Sequence, residues 1–204
     1  YGGFIGATYG DFREYRELVR KAREDGADFI KIMISGLMDF DHFGVLTEPG
    51  LDPALIRELI HIAHEEGFSV MAHCNGARTM EAAALYGVDS VEHGAYLDDD
   101  ALQAIKENGA VWVPTLSTIG NLRGKGRFDE GAVQAILESA LRNVDCFVKM
   151  GGLIAPGTDA GAFPQEMTLV INAAAPLTGL RLGLNLFNAL VVGILGVPGI
   201  GLLL

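Results

Sequence analysis

The chain has 204 residues, half of them hydrophobic, so it can bury a sizeable core and is not a disordered polymer. Fifteen Lys and Arg stand against 26 Asp and Glu, a net charge of −11, which argues against a nucleic-acid partner. Two cysteines, Cys74 and Cys146, make no disulfide framework. With no secretory leader in the sequence, the expectation is a cytoplasmic protein.

From the N-terminus, one pattern recurs five times: a helical stretch, a glycine, then a short apolar strand. The glycines are Gly26, Gly67, Gly87, Gly109 and Gly151, each where a helix needs a left-handed C-terminal cap. The strands are expected near 28–34, 69–73, 88–93, 110–114 and 152–157. They are rich in β-branched residues and apolar enough for burial on both faces. Asp52-Pro53 starts a helix whose stripe is Leu55, Ile56, Leu59, Ile60 and Ala63. Asp98 or Asp99 caps the helix that holds Leu102, Ala104 and Ile105. Alternation at this spacing predicts an α/β fold with a parallel sheet. Five units fit part of an eight-stranded (β/α)8 barrel rather than a whole one.

Charge divides the chain. Residues 1–166 hold 14 basic and all 26 acidic groups, whereas Arg181 is the sole charge from Met167 to Leu204. Two regions are therefore expected: 1–166, a partial barrel, and 167–204, an apolar helical tail. As a helix, the uncharged stretch 182–204 would span about 30 Å, the thickness of a bilayer core. It suggests membrane contact, with Gly193, Gly196 and Gly199 for close packing and Pro198 as a kink. A buried apolar helix is the plainer reading of the same residues.

In parallel α/β proteins, functional groups gather at the C-terminal ends of strands. His73 ends one expected strand and His93 the next; Asp159 follows another, and Lys31 lies in the first. One strand-end His is more often a hydrogen-bonded structural residue than a ligand. Two at equivalent places, with Asp159, point to a metal site. Taken singly, Lys31 could snorkel and Asp159 could cap a helix. His42, in the loop Asp39-Phe40-Asp41-His42-Phe43, is a candidate substrate contact. His61 and His64 read as a solvated helix face. Cys74 should point away from His73 by strand alternation.

These residues carry a resemblance. Gly26-Ala27-Asp28-Phe29-Ile30-Lys31-Ile32-Met33-Ile34-Ser35-Gly36, Val70-Met71-Ala72-His73-Cys74-Asn75-Gly76, Asp89-Ser90-Val91-Glu92-His93-Gly94, Val113-Pro114-Thr115-Leu116 and Gly157-Thr158-Asp159-Ala160-Gly161 occur in order. Residues about 11–163 thereby resemble the second half of the amidohydrolase superfamily barrel, in its imidazolonepropionase-like and Xaa-Pro-dipeptidase-like branch.

The resemblance implies strands 4 to 8 of a (β/α)8 TIM barrel and a metal-dependent hydrolase of amide or cyclic amide C–N bonds. It implies one or two divalent ions, zinc foremost. Lys31 would bridge them as a CO2-derived carbamate, and His73 and His93 would be ligands. Asp159 would be both a ligand and the catalytic proton shuttle. Asn75 and Tyr96 would contact a small-molecule or peptide-like substrate. The family's first-strand His-x-His pair has no counterpart here, so the implied form is a fragment with an incomplete metal site. Its edge strands would be open to completion by another chain or a homo-oligomer.

Residues about 170–204 resemble the C-terminal part of BofA-like pro-sigma-K processing inhibitors, through Asn185 and Gly193-Ile194-Leu195-Gly196-Val197-Pro198-Gly199. The alternative this opens is a membrane-embedded regulator of a protease, fused near 164–171 to a catalytically inactive barrel fragment.

Overall fold

The computed structural model describes residues 6–159, 169–173 and 175–179. The chain runs α1 (Phe12–Glu24), β1 (Phe29–Met33), α2 (Pro53–Glu65), β2 (Ser69–Cys74), α3 (Ala77–Leu85), β3 (Ser90–His93), α4 (Asp99–Glu107), β4 (Val111–Val113), α5 (Leu116–Gly120), α6 (Glu130–Lys149) and α7 (Ala175–Thr178). The strands form one parallel sheet in the order β1-β2-β3-β4.

The helix ends are built as the glycine spacing predicts. After α1, Gly26 takes φ +81°, its N–H donates to Arg23 O, and Ala27 N–H reaches back to Ala22 O. This paired closure needs a left-handed residue, which glycine supplies without a Cβ clash. The same two bonds recur after α2, α3, α4 and α6. At the helix starts, Asp11, Asp52, Asp98 and Asp129 each accept a backbone N–H from the first turn.

The pleat decides what is buried. Ile32, Ile34, Val70, Ala72, Cys74, Val91 and Trp112 lie in the main core, together with Ile56, Leu59, Ile60 and Ala63 of α2. Cys74 thus points away from His73, as alternation requires. On the opposite face of β1, Phe29, Lys31 and Met33 are exposed. Within α2 the buried stripe includes Ile62, while Leu55 is 40% exposed. Leu55 shares a side with Leu59 and Ile62, but lies in the first turn.

The fifth expected strand, 152–157, is reduced to one bridge, Trp112 to Ile154. Trp112 N–H donates to Leu153 O, and Ala155 N–H donates to Trp112 O. The next rung would call on the N–H of residue 114, which is proline and has none. The start of the expected tail packs inward: Leu169 joins the main core, and Val170 and Ala173 lie against it. Among the described residues, no helix is long and apolar enough to cross a membrane. The uncharged stretch 182–204 lies outside them.

Candidate active site

His73 is placed by ordinary strand geometry. The pleat of β2 sends Val70, Ala72 and Cys74 into the helix layer and leaves His73 on the other face, where it is buried. Its Nε2 lies 3.1 Å from Gly36 O, which also accepts from Asn75 Nδ2 at 3.0 Å. A carbonyl oxygen only accepts, so Nε2 carries the proton and Nδ1 keeps its lone pair.

His93 departs from that geometry. In the register, His73 pairs with Glu92, and His93 pairs with Cys74. Regular pleating would therefore send His93 toward the helices with Cys74. Instead His93 takes φ +72° and Gly94 φ +70°, which swings the imidazole to the other face. The His73 and His93 ring centroids come to 4.7 Å, with planes 60° apart.

Three contacts hold the turn. His93 Nδ1 lies 2.8 Å from Thr115 Oγ1, Trp112 Nε1 donates to His93 O at 3.1 Å, and Gly94 N–H donates to Cys74 O at 2.9 Å. Gly94 lies so close to the Trp112 indole that a Cβ there would collide with it. Among the described residues, the non-glycine positions with positive φ are His93, Tyr96, Thr115 and Asp159. His93 ends β3, and the other three lie beyond the C-terminal ends of strands or of the bridged segment. Strained backbone of this kind concentrates at functional sites.

Burial holds both imidazoles neutral: it pushes the His73 pKa below the ordinary range and the His93 pKa down to about 4. After burial, the neighbouring His73 ring lowers His93 further; Asp159 raises both rings and Lys31 lowers both. Lys31 and Asp159 therefore lie within electrostatic reach of each ring. A fifth group stands with them. Glu92 is buried on the His73 side of the sheet, and desolvation raises its pKa against the Ser90 hydroxyl that donates to Oε1 at 3.0 Å. The alternation Ser90-Val91-Glu92 already puts Glu92 on the face opposite the buried Val91, a signal the sequence reading left unused. Thr115 has no comparable signal in the sequence; only its contact with His93 Nδ1 reveals it.

The expected substrate contacts fare differently. Asn75 is buried, and its amide is engaged at both ends: Nδ2 donates to Gly36 O, and Oδ1 accepts from Ala95 N–H at 3.0 Å. It ties the loops after β1, β2 and β3 together. Tyr96 sits under the loop after β1, with its ring edge-on to Phe43 at 5.4 Å. The Gly44 backbone lies near its hydroxyl without closing a well-formed hydrogen bond. His42 is exposed and paired with Asp39 Oδ2 at 2.9 Å, which raises its pKa. His61 and His64 lie on the outer helix face, paired with Glu65 and Asp89.

Among the described residues, no three His, Cys, Asp or Glu side chains meet in ligating geometry. What the fold assembles is a pair of neutral imidazoles, each with one nitrogen tied to a protein oxygen. That is how metal-binding histidines are usually held. The donor set thus fits part of a metal site.

Residues 3–182 match the amidohydrolase family. The chain belongs to that family. The match runs past residue 163, where the sequence resemblance was drawn to end. Ochratoxinase from Aspergillus niger is 31% identical over 152 residues, covering 72% of this chain and 31% of that protein. The ochratoxinase crystal structure superposes with a TM-score of 0.71 at 26% identity, over 83% of this chain and 40% of the other. A Xaa-Pro dipeptidase structure with bound methionine gives 0.69 at 27% identity, over 85% and 45%. This amidohydrolase chain therefore spans about a third of the length of the curated relatives it matches. Its parallel sheet accords with part of their fold. The resemblance to pro-sigma-K processing inhibitors rests on residues that lie mostly outside the described ones.

Proposed function

We propose that this chain carries part of the active site of a metal-dependent hydrolase that cleaves amide C–N bonds in small-molecule or peptide-like substrates. The observation that carries the reading is the pair of imidazoles, His73 and His93, brought ring to ring with Lys31 and Asp159 in electrostatic reach of both. The names of its relatives, ochratoxinase and Xaa-Pro dipeptidase, support the choice of hydrolase.

His73 would hold a divalent ion, zinc foremost, through Nδ1, and His93 through Nε2, the nitrogens not tied to Gly36 and Thr115. Lys31, as a carbamate, and Asp159 would add oxygen ligands. Such an ion, when bound, lowers the pKa of water and polarises a carbonyl. Asp159 would take a proton from the attacking water and pass it to the leaving amine. Asn75, directly after β2, ties the end of that strand to the loops after β1 and β3, while Tyr96 packs edge-on against Phe43.

Zinc uptake tests the proposal. The purified 204-residue chain should bind zinc by calorimetry, and a His73→Ala/His93→Ala variant should lose that binding. Equal zinc content in the two proteins would end the metal reading.

A further inference from the structure

We infer that Thr115 is a positioning residue that sets which ring nitrogen of His93 faces the centre of the site. The inference rests on the metal reading above, but its main readout does not require a metal. Thr115 directly follows Pro114 at the end of β4, is 3% exposed and takes φ +47°. A β-branched residue is badly suited to the left-handed region, where glycine or asparagine would sit at less cost. Something at this position outweighs that strain. The feature that threonine has and glycine lacks is the hydroxyl, which lies 2.8 Å from His93 Nδ1.

The surroundings fix that hydroxyl. The Thr115 methyl lies 3.8 Å from where a Cβ on Gly157 would stand, and such a Cβ would strike Val113. The segment leading to Asp159 is therefore seated against the same residue that holds His93. Thr115 thus joins two arms of the rim: the imidazole after β3 and the backbone approaching the carboxylate.

A hydroxyl can donate or accept. With Thr115 Oγ1 as acceptor, His93 is protonated on Nδ1, and the Nε2 lone pair is free. A neutral imidazole in water ordinarily prefers the proton on Nε2. With Oγ1 accepting, the arrangement we assign here, the bond to Thr115 reverses that preference and leaves Nε2 available as a ligand atom.

Imidazole nitrogen NMR on the zinc-free chain at neutral pH reads this directly. In the wild-type chain, His93 should be protonated on Nδ1. Thr115→Val, which keeps the β-branch, and Thr115→Gly, which also relieves the positive φ, should both revert to the Nε2-protonated form. Thr115→Ser should stay like wild type. Zinc affinity should fall about 10- to 100-fold in the Val and Gly variants and be retained in Ser, the range seen when a ligand's outer partner is removed. The Gly variant guards against a Val variant that fails to fold. The inference is overturned by Nε2 protonation in the wild type, by Val and Gly variants that keep the wild-type tautomer, or by a Ser variant that behaves like Gly. If the wild-type chain takes up no zinc, the metal reading fails, and the tautomer comparison alone decides the role of Thr115.

Discussion

His73 and His93 stand ring to ring at 4.7 Å, although the sheet does not pair them: the register partner of His73 is Glu92. A regular third strand would have buried His93 beside Cys74 in the helix layer. Two consecutive left-handed residues, His93 and Gly94, add His93 to the face that Ser90 and Glu92 already share. The site depends as much on this backbone turn as on the side chains it presents.

Gly94→Ala should therefore be disproportionately harmful. An added methyl meets Trp112 Nε1 at 2.5 Å and forces an L-residue to φ +70°. Strain and overpacking together should cost about 2–4 kcal/mol. A lower urea midpoint with an unchanged slope checks it; a midpoint equal to wild type would refute the role assigned to the turn.

Asn75→Ala should destabilise by about 2–3 kcal/mol, because it strands a buried backbone N–H. The amide of Ala95 loses its acceptor, while Gly36 O keeps His73 Nε2 as a donor. Hydrogen exchange offers the sharper readout: the Ala95 amide should exchange faster in the variant, and amides in the middle of β2 should not.

Trp112 is the chain's sole tryptophan, and its indole N–H donates to the His93 carbonyl. Its fluorescence should therefore change when zinc is titrated into the wild-type chain. The response should vanish in His73→Ala/His93→Ala. A response that persists in the double variant would place the zinc elsewhere.

Acid should loosen the contact between α1 and α2. Arg16 and Arg20 hydrogen-bond Glu66, and Arg16 also bonds Glu65. These bonds hold both carboxyls below the ordinary carboxylate range. A depressed folded-state pKa means that the unfolded chain takes up protons first. The stabilisation is thus complete above the ordinary carboxylate pKa and is lost as pH falls through the depressed one. The difference in Tm between wild type and Arg16→Met should accordingly be present at pH 7 and shrink below about pH 4.5, the ordinary glutamate value.

Much of the scaffold was legible because it is local. A glycine two residues past α1, α2, α3, α4 and α6 and an aspartate before α2 and α4 specify ends without reference to the rest of the chain, and those ends fall where expected. His73 was legible for the same reason, since alternation alone places it. His93 was legible as a residue type at a strand end, but its orientation was not, because a left-handed turn at a non-glycine residue has no local signature. Glu92 was readable from alternation and passed over in favour of the strand end. Thr115 announces itself only through a hydroxyl placed against a ring 22 positions earlier in the chain. Pro114 should have warned that the fifth strand would be short. The pairing of His42 with Asp39, three residues away, is a local contact of the loop after β1 that residue type alone did not announce.

The missing N–H of Pro114 has one more consequence. The strands bearing the two imidazoles are laced into the sheet along their length, whereas the segment that ends in Asp159 is stitched to β4 by two bonds, Trp112 N–H to Leu153 O and Ala155 N–H to Trp112 O. Past that bridge, among the described residues, the Thr118 hydroxyl donates to Thr158 O at 3.3 Å, so the backbone beside Asp159 is held by a side chain rather than by a strand ladder. In the proposed reaction, the carboxylate that carries the proton would thus be held by different fastenings from those of the imidazoles.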